Sequence, residues 1–145
     1  MKIMQLSLFV ENRPGHLLAP CDVLAEAGID IVTLSLADTQ QFGLLRLIVR
    51  DWQRAREVLQ QAGLAVAQTE VLAVEVPDHP GGLAEVLRVI GRAGVNVEYM
   101  YAFTQKLNDR AVLVFRFDDP DRAMTALGQS KVNVIRPIEL YEKRP

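Results

Sequence analysis

"ENRPGHL" (residues 11–17) and "PDHPGGL" (residues 77–83) are two versions of one phrase, set 66 positions apart. Each follows an apolar run, residues 3–10 or 71–76, and precedes apolar residues at helical spacing. Each therefore reads as a strand, a Pro-Gly turn and a helix. The same offset lays Leu17 on Leu83, Val23 on Val89, and "AGIDI" (27–31) on "AGVNV" (93–97). Agreement over that length marks an internal duplication, and the fold has to be built twice.

Working outward from the two turns, Gly28 and Gly94 stop the first helix of each copy. Leu17, Cys21 and Leu24, or Leu83, Leu87 and Ile90, share one helical face and are expected to point inward. "IDIVTLSLA" and "VNVEYMYAF" suit strands, and "LLRLIV" and "AVLVFRF" supply a third strand. In the second strand of the later copy Tyr99, Tyr101 and Phe103 alternate with Glu98 and Met100, so the two sets face opposite ways. A second helix begins at Asp51 in one copy and at Asp118 or Asp119 in the other, where Pro120 fits a first turn. Closing strands are expected over residues 64–68 and 132–140. Pro20, where the second copy has Val86, predicts a late or distorted start for the first helix.

The order strand, helix, strand, strand, helix, strand defines an α+β fold. It gives two tandem ferredoxin-like βαββαβ units, residues 1–69 and 70–145, each an antiparallel sheet with its helices on one face. The other face of each sheet is left open. Units this small bury little alone, so the open apolar faces predict association and a homodimer.

Half of the 145 residues are apolar, which suffices for a core. The net charge of −2, from 16 Lys and Arg against 18 Asp and Glu, lacks a basic excess, so no nucleic-acid partner is expected. No apolar run approaches the ~20 residues of a membrane span, and the first ten residues do not resemble a signal peptide. The expected location is the cytoplasm, with no membrane partner. The single Cys21 has no second cysteine to pair with, and His16 and His79 do not occupy matching positions, so neither a disulfide nor a metal site is expected. No nucleophile with a base, phosphate loop with a lysine, or spaced carboxylate pair points to catalysis, and no cofactor is implied.

The two turns, the "AG[IV][DN][IV]" helix ends and the element order together resemble the ACT domain family, twice over, across essentially the whole chain. The resemblance implies a stand-alone regulatory protein that binds a small amino acid at the turn and signals to a partner protein of amino-acid metabolism. The residue chemistry suits that task independently. Gly15 and Gly81 let a ligand approach the main chain, and the amides opening the helix are free donors at the positive end of a dipole, suited to a carboxylate. Asn12 or Asp78 can accept from the ligand ammonium. The candidate site is therefore Asn12, Arg13, Pro14, Gly15, His16 and Leu17 in the first copy, and Asp78, His79, Pro80, Gly81, Gly82 and Leu83 in the second. Asp30 and Asn96, which begin the following strands, complete it. The paired Gly81 and Gly82 predict a more open and mobile backbone in the second turn. Two other readings use the same residues: a ligand-independent assembly module in which the turns are only turns, and a small enzyme on this fold.

Overall fold

The computed structural model describes residues 1–104 and 111–142. The chain divides into two compact units, Met4–Thr69, and Glu70–Pro145 together with Met1–Ile3. Lys2 shows why the N-terminus groups with the later residues: its Nζ lies 2.9 Å from a Glu70 carboxylate oxygen and 3.1 Å from one of Asp121. Those hydrogen bonds, Glu70 first, raise its pKa above the ordinary lysine value.

In the earlier unit, β1 (Ile3–Glu11) leads through the first turn to α1 (Leu18–Glu26), then β2 (Ile31–Thr39), β3 (Phe42–Val49) and α2 (Trp52–Gln61). The strands lie in the order β2-β3-β1, antiparallel, with Leu8 opposite Leu45 and Leu45 opposite Leu36. Leu6, Leu8 and Val10 of β1 pack with Leu45, Leu47 and Val49 of β3 against Leu24 of α1 and Ala55 and Leu59 of α2. Trp52 joins that core partly buried, with the Arg56 guanidinium 5.5 Å from its ring centroid.

In the later unit, β4 (Ala67–Val76), α3 (Gly82–Arg92), β5 (Val97–Ala102), β6 (Ala111–Phe117), α4 (Pro120–Gln129) and β7 (Val134–Ile135) follow in turn, with strand order β5-β6-β4-β7. Leu72, Val74 and Val76 pack with Phe115 and Phe117 against Val86 and Ile90 of α3 and Ala123 and Leu127 of α4. An antiparallel sheet with two helices packed on one side is the ferredoxin-like arrangement expected from the element order.

The second helices start at side-chain caps. The Arg54 backbone N–H donates to Asp51 Oδ1 at 3.2 Å, and the Arg122 N–H to Asp119 Oδ1 at 3.1 Å. Asp119 is thus the cap, while Asp118 accepts from the Asn96 N–H at 2.9 Å and ties β5 to β6.

Four expectations change. The inward helix face is Val86 and Ile90, each 2% exposed; Leu83 and Leu87 are 36% and 37% exposed. In α1 the buried pair is Pro20 and Leu24, Leu17 is exposed and Cys21 is half-buried. Both stripes are apolar at helical spacing, so only the packing against the sheet tells them apart. Secondly, β2 and β5 carry a bulge at matching places, with Val32 and Glu98 as the extra residues. Val97 opposes Phe117 and Met100 opposes Phe115, so both join the core despite their odd spacing. Thirdly, the strand expected over residues 132–140 is only Val134–Ile135, because Pro137 opens a short helix, α5 (Pro137–Glu142), to which the Arg136 N–H donates at Glu139 Oε2, 2.9 Å away. Lastly, the strand expected over residues 64–68 begins only at Ala67, and Leu64 and Val66 instead pack against the earlier core.

The helix C-termini follow one pattern. The N–H of Leu64 donates to Leu59 O and that of Gly63 to Gln60 O; after α4, Val132 donates to Leu127 O and Lys131 to Gly128 O. Such a stop needs a left-handed residue. Gly63 supplies it with φ +85°, whereas Lys131 holds φ +58° with a Cβ. Lys131→Gly is therefore expected to raise stability by about 0.5–1 kcal/mol, read as a higher urea midpoint at unchanged slope.

Candidate functional site

Both Pro-Gly turns are built from the same hydrogen bonds. The His16 N–H donates to Arg13 O at 3.2 Å and the Ala19 N–H to Gly15 O at 3.3 Å; in the later copy Gly82 donates to His79 O at 3.0 Å and Glu85 to Gly81 O at 3.0 Å. Gly15 and Gly81 sit at φ +85° and +88°, and a Cβ on either would meet nothing within 4 Å. The left-handed backbone, not crowding, is what asks for glycine here. Neither Leu17 nor Gly81, the residues preceding the two helices, makes a side-chain cap hydrogen bond. Leu18 in α1 and Leu83 in α3 are exposed first-turn residues beyond these uncapped starts, whereas Gly82 is buried with its N–H given to His79 O and Pro20 has no N–H to offer.

The copies differ where the helix begins. A Cβ on Gly82 would lie 1.9 Å from the Pro77 carbonyl oxygen, so only glycine lets α3 pass this close to the end of β4. Gly82 is buried, so of the pair expected to open the second turn only Gly81 is exposed. His16 takes its place in the first copy, and α1 starts only at Leu18, leaving Pro20 in its first turn where no intrahelical N–H is required.

Around the first turn, Asn12 is an anchor. Its backbone N–H donates to Gln41 O at 3.0 Å and its side-chain amide to Gln40 O at 3.3 Å, joining the turn to the β2–β3 hairpin. Gln40 holds φ +67° there, with its N–H donated to Asp38 Oδ1 at 2.8 Å. Both Asn12 interactions use its donors. Glu11 lies 3.6 Å from Arg13 Nε and 3.9 Å from His16 Nδ1, so both candidate side chains gather on one carboxylate. A surface depression of about 360 Å³ is lined by Glu11, Asn12, Arg13, Gln40, Gln41 and Phe42.

In the second turn His79 Nδ1 lies 2.9 Å from Pro80 O. Asp78, His79, Pro80 and Gly81 are exposed, and Leu83 shows 36% of its surface. Asp30 and Asn96 are not brought to the turns of their own units. They follow Gly28 and Gly94 at the far ends of α1 and α3, roughly 15 Å along a helix from its start. Glu11, Gln40, Gln41 and Phe42 escaped the sequence reading, because a polar link between two strands carries no signal of which turn it will touch.

Among the described residues no group of three or more His, Cys, Asp and Glu is placed to hold a metal ion, and no helix is long and apolar enough to cross a membrane.

Two antiparallel units with a repeated open turn define a tandem small-domain protein of the ferredoxin-like class. The chain belongs to the ACT domain pair family, whose model matches residues 1–143. It is similar to protein BT0572 from Bacteroides thetaiotaomicron, at 37% identity over 98% of this chain and 97% of that one, with a TM-score of 0.90. The fold alone is shared with the ligand-free regulatory subunit of aspartate kinase from Thermus thermophilus, at 18% identity, TM-score 0.63, and 88% and 91% coverage of the two chains. The corresponding subunit from Thermus flavus gives 17% identity, TM-score 0.61, and 88% and 92% coverage. No curated protein matches the chain.

Proposed function

We propose that this protein is a regulatory sensor that binds a small amino acid at one or both Pro-Gly turns and passes the change to a partner enzyme or regulator. The observation that carries this reading is the repeated turn. Gly15 and Gly81 hold left-handed backbone with open space where a side chain would stand, beside first-turn amides that no side chain caps. A ligand carboxylate fits those amides, and Asn12 or Asp78 takes the ammonium. That the Thermus subunits are regulatory subunits of aspartate kinase accords with this role. Exposed Leu17, Leu18, Leu83, Leu87 and Phe9 favour a second element of the reading, a homodimer that covers some of them.

A thermal-shift screen of the twenty amino acids tests the reading directly. A ligand at a hundred times its Kd is expected to add ~2.7 kcal/mol to stability, whereas a pure assembly module would respond to none. Sedimentation in the same buffers tests the dimer, which a clean monomer at micromolar concentration would exclude. Asn12→Ala is expected to weaken binding at the first turn by ~1–3 kcal/mol, because a buried ligand ammonium is left short of an acceptor. Calorimetry reads that loss as a rise in Kd, and an unchanged Kd would remove Asn12 from the site.

A further inference from the structure

We propose that two copies of this chain meet through unlike helices, the outer side of α1 in one copy docking on the outer side of α3 in the other. The inference rests on the homodimer reading and names its surfaces. In α3, Glu85 lines a depression with Lys131 and Asn133, and Arg92 lines one with Asp119, Asp121 and Arg122 at the start of α4. The side turned from α4 carries Leu83, Leu87 and Arg88, all exposed. At the 66-residue offset the same side of α1 carries Leu17, Cys21 and Asp22, of which Leu17 and Asp22 are exposed and Cys21 is half-buried. In the same unit β2 ends the strand order and adds exposed Leu34 and Leu36, on the helix side of the sheet because they stand opposite Leu47 and Leu45 of the core.

The repeat shows why the pairing is of unlike helices. Asp22 falls on Arg88, so the frame is shared and the charge at its centre is reversed. Each of the two sits near the middle of its helix, Leu18–Glu26 or Gly82–Arg92, so they reach each other whether the helices run parallel or antiparallel. Two α1 helices would instead set Asp22 against Asp22, and two α3 helices Arg88 against Arg88, which like charge opposes. The flanking leucines are common to both faces and attract without regard to sign, so apolar area drives association and the charged pair selects the partner. The surroundings of Asp22 carry the same sign, since residues 17–43 hold Asp22, Glu26, Asp30 and Asp38 and no Lys or Arg. Glu26 likewise falls on Arg92, which extends the reversal by one helical turn. Such a contact joins different surfaces of the two copies and is a heterologous interface.

The test is sedimentation of the full chain at low salt, comparing Asp22→Arg, Arg88→Asp and the chain that carries both changes. Each single change sets like charges together and is expected to raise the dimer Kd at least about tenfold. The double change swaps the signs and is expected to return the Kd to within about threefold of wild type. An equimolar mixture of the two single variants is likewise expected to associate as wild type does, because each supplies the sign that the other lacks. Both positions are exposed, so far-UV circular dichroism is expected to be unchanged in every variant. A monomeric wild type removes this pairing together with the homodimer reading. A wild-type dimer that neither single change weakens, or a loss that the double change does not repair, overturns the pairing alone.

Discussion

Gly82→Ala is expected to destabilise the later unit by about 3 kcal/mol, while His16→Ala at the equivalent place in the earlier unit stays within about 0.5 kcal/mol. The added methyl would sit 1.9 Å from Pro77 O and 3.2 Å from Pro77 Cβ. The atom it meets is backbone, so relief requires the start of α3 or the end of β4 to move. That motion would disturb Val76 and Val86, both fully packed in the same core. At His16 a side chain is already accommodated on an exposed surface, because α1 begins two residues later relative to the repeat. Urea unfolding of the two variants makes the comparison. A midpoint for Gly82→Ala close to that of wild type would mean that the strand end yields freely and that the close approach is incidental.

Gly15→Val and Gly81→Val are expected to abolish amino-acid binding, each at its own turn, by about 100-fold or more in Kd. Both positions have open space, so the effect comes through the backbone. A β-branched residue resists φ near +85°, and holding it there costs on the order of 1–3 kcal/mol. The chain relaxes by turning the peptide, which re-aims the amides on which the carboxylate depends, and the branched side chain stands where the ligand approaches. Asn tolerates left-handed backbone, so Gly15→Asn separates the two causes by keeping the turn while adding bulk. Calorimetry on folded variants is the measurement. If both valine variants remain folded and bind the amino acid as wild type does, the ligand lies elsewhere and the turns are structural.

The duplication, the order of elements and the stopping points of the helices were legible because each rests on chemistry local in the chain. The Pro-Gly phrases, Gly28 and Gly94, and the caps at Asp51 and Asp119 act over a few residues, and the structure realises them at φ values and hydrogen bonds of the expected kind. The choice between Asp118 and Asp119 was not local. Asp118 reaches across to the Asn96 N–H, a bond between strands 22 residues apart that no window of sequence reveals.

The candidate site divides the same way. That Gly15 and Gly81 should take left-handed backbone follows from the residue type and the turn, whereas Asn12 meeting Gln40 and Gln41 depends on the β2–β3 hairpin folding back beside β1. Leu83 and Leu87 looked fit for the core beside Ile90, and Ile90 is buried as expected, but its inward companion is Val86, which is as apolar and also at helical spacing from it. Packing against the sheet decides between them, and α1 buries the matching pair, Pro20 and Leu24, with His16 where α3 has Gly82. Periodicity and residue type are properties of a segment and can be read from it, but the rotation of a helix on a sheet and the bulges at Val32 and Glu98 arise only when distant segments exclude one another's volume, and those the fold alone decided.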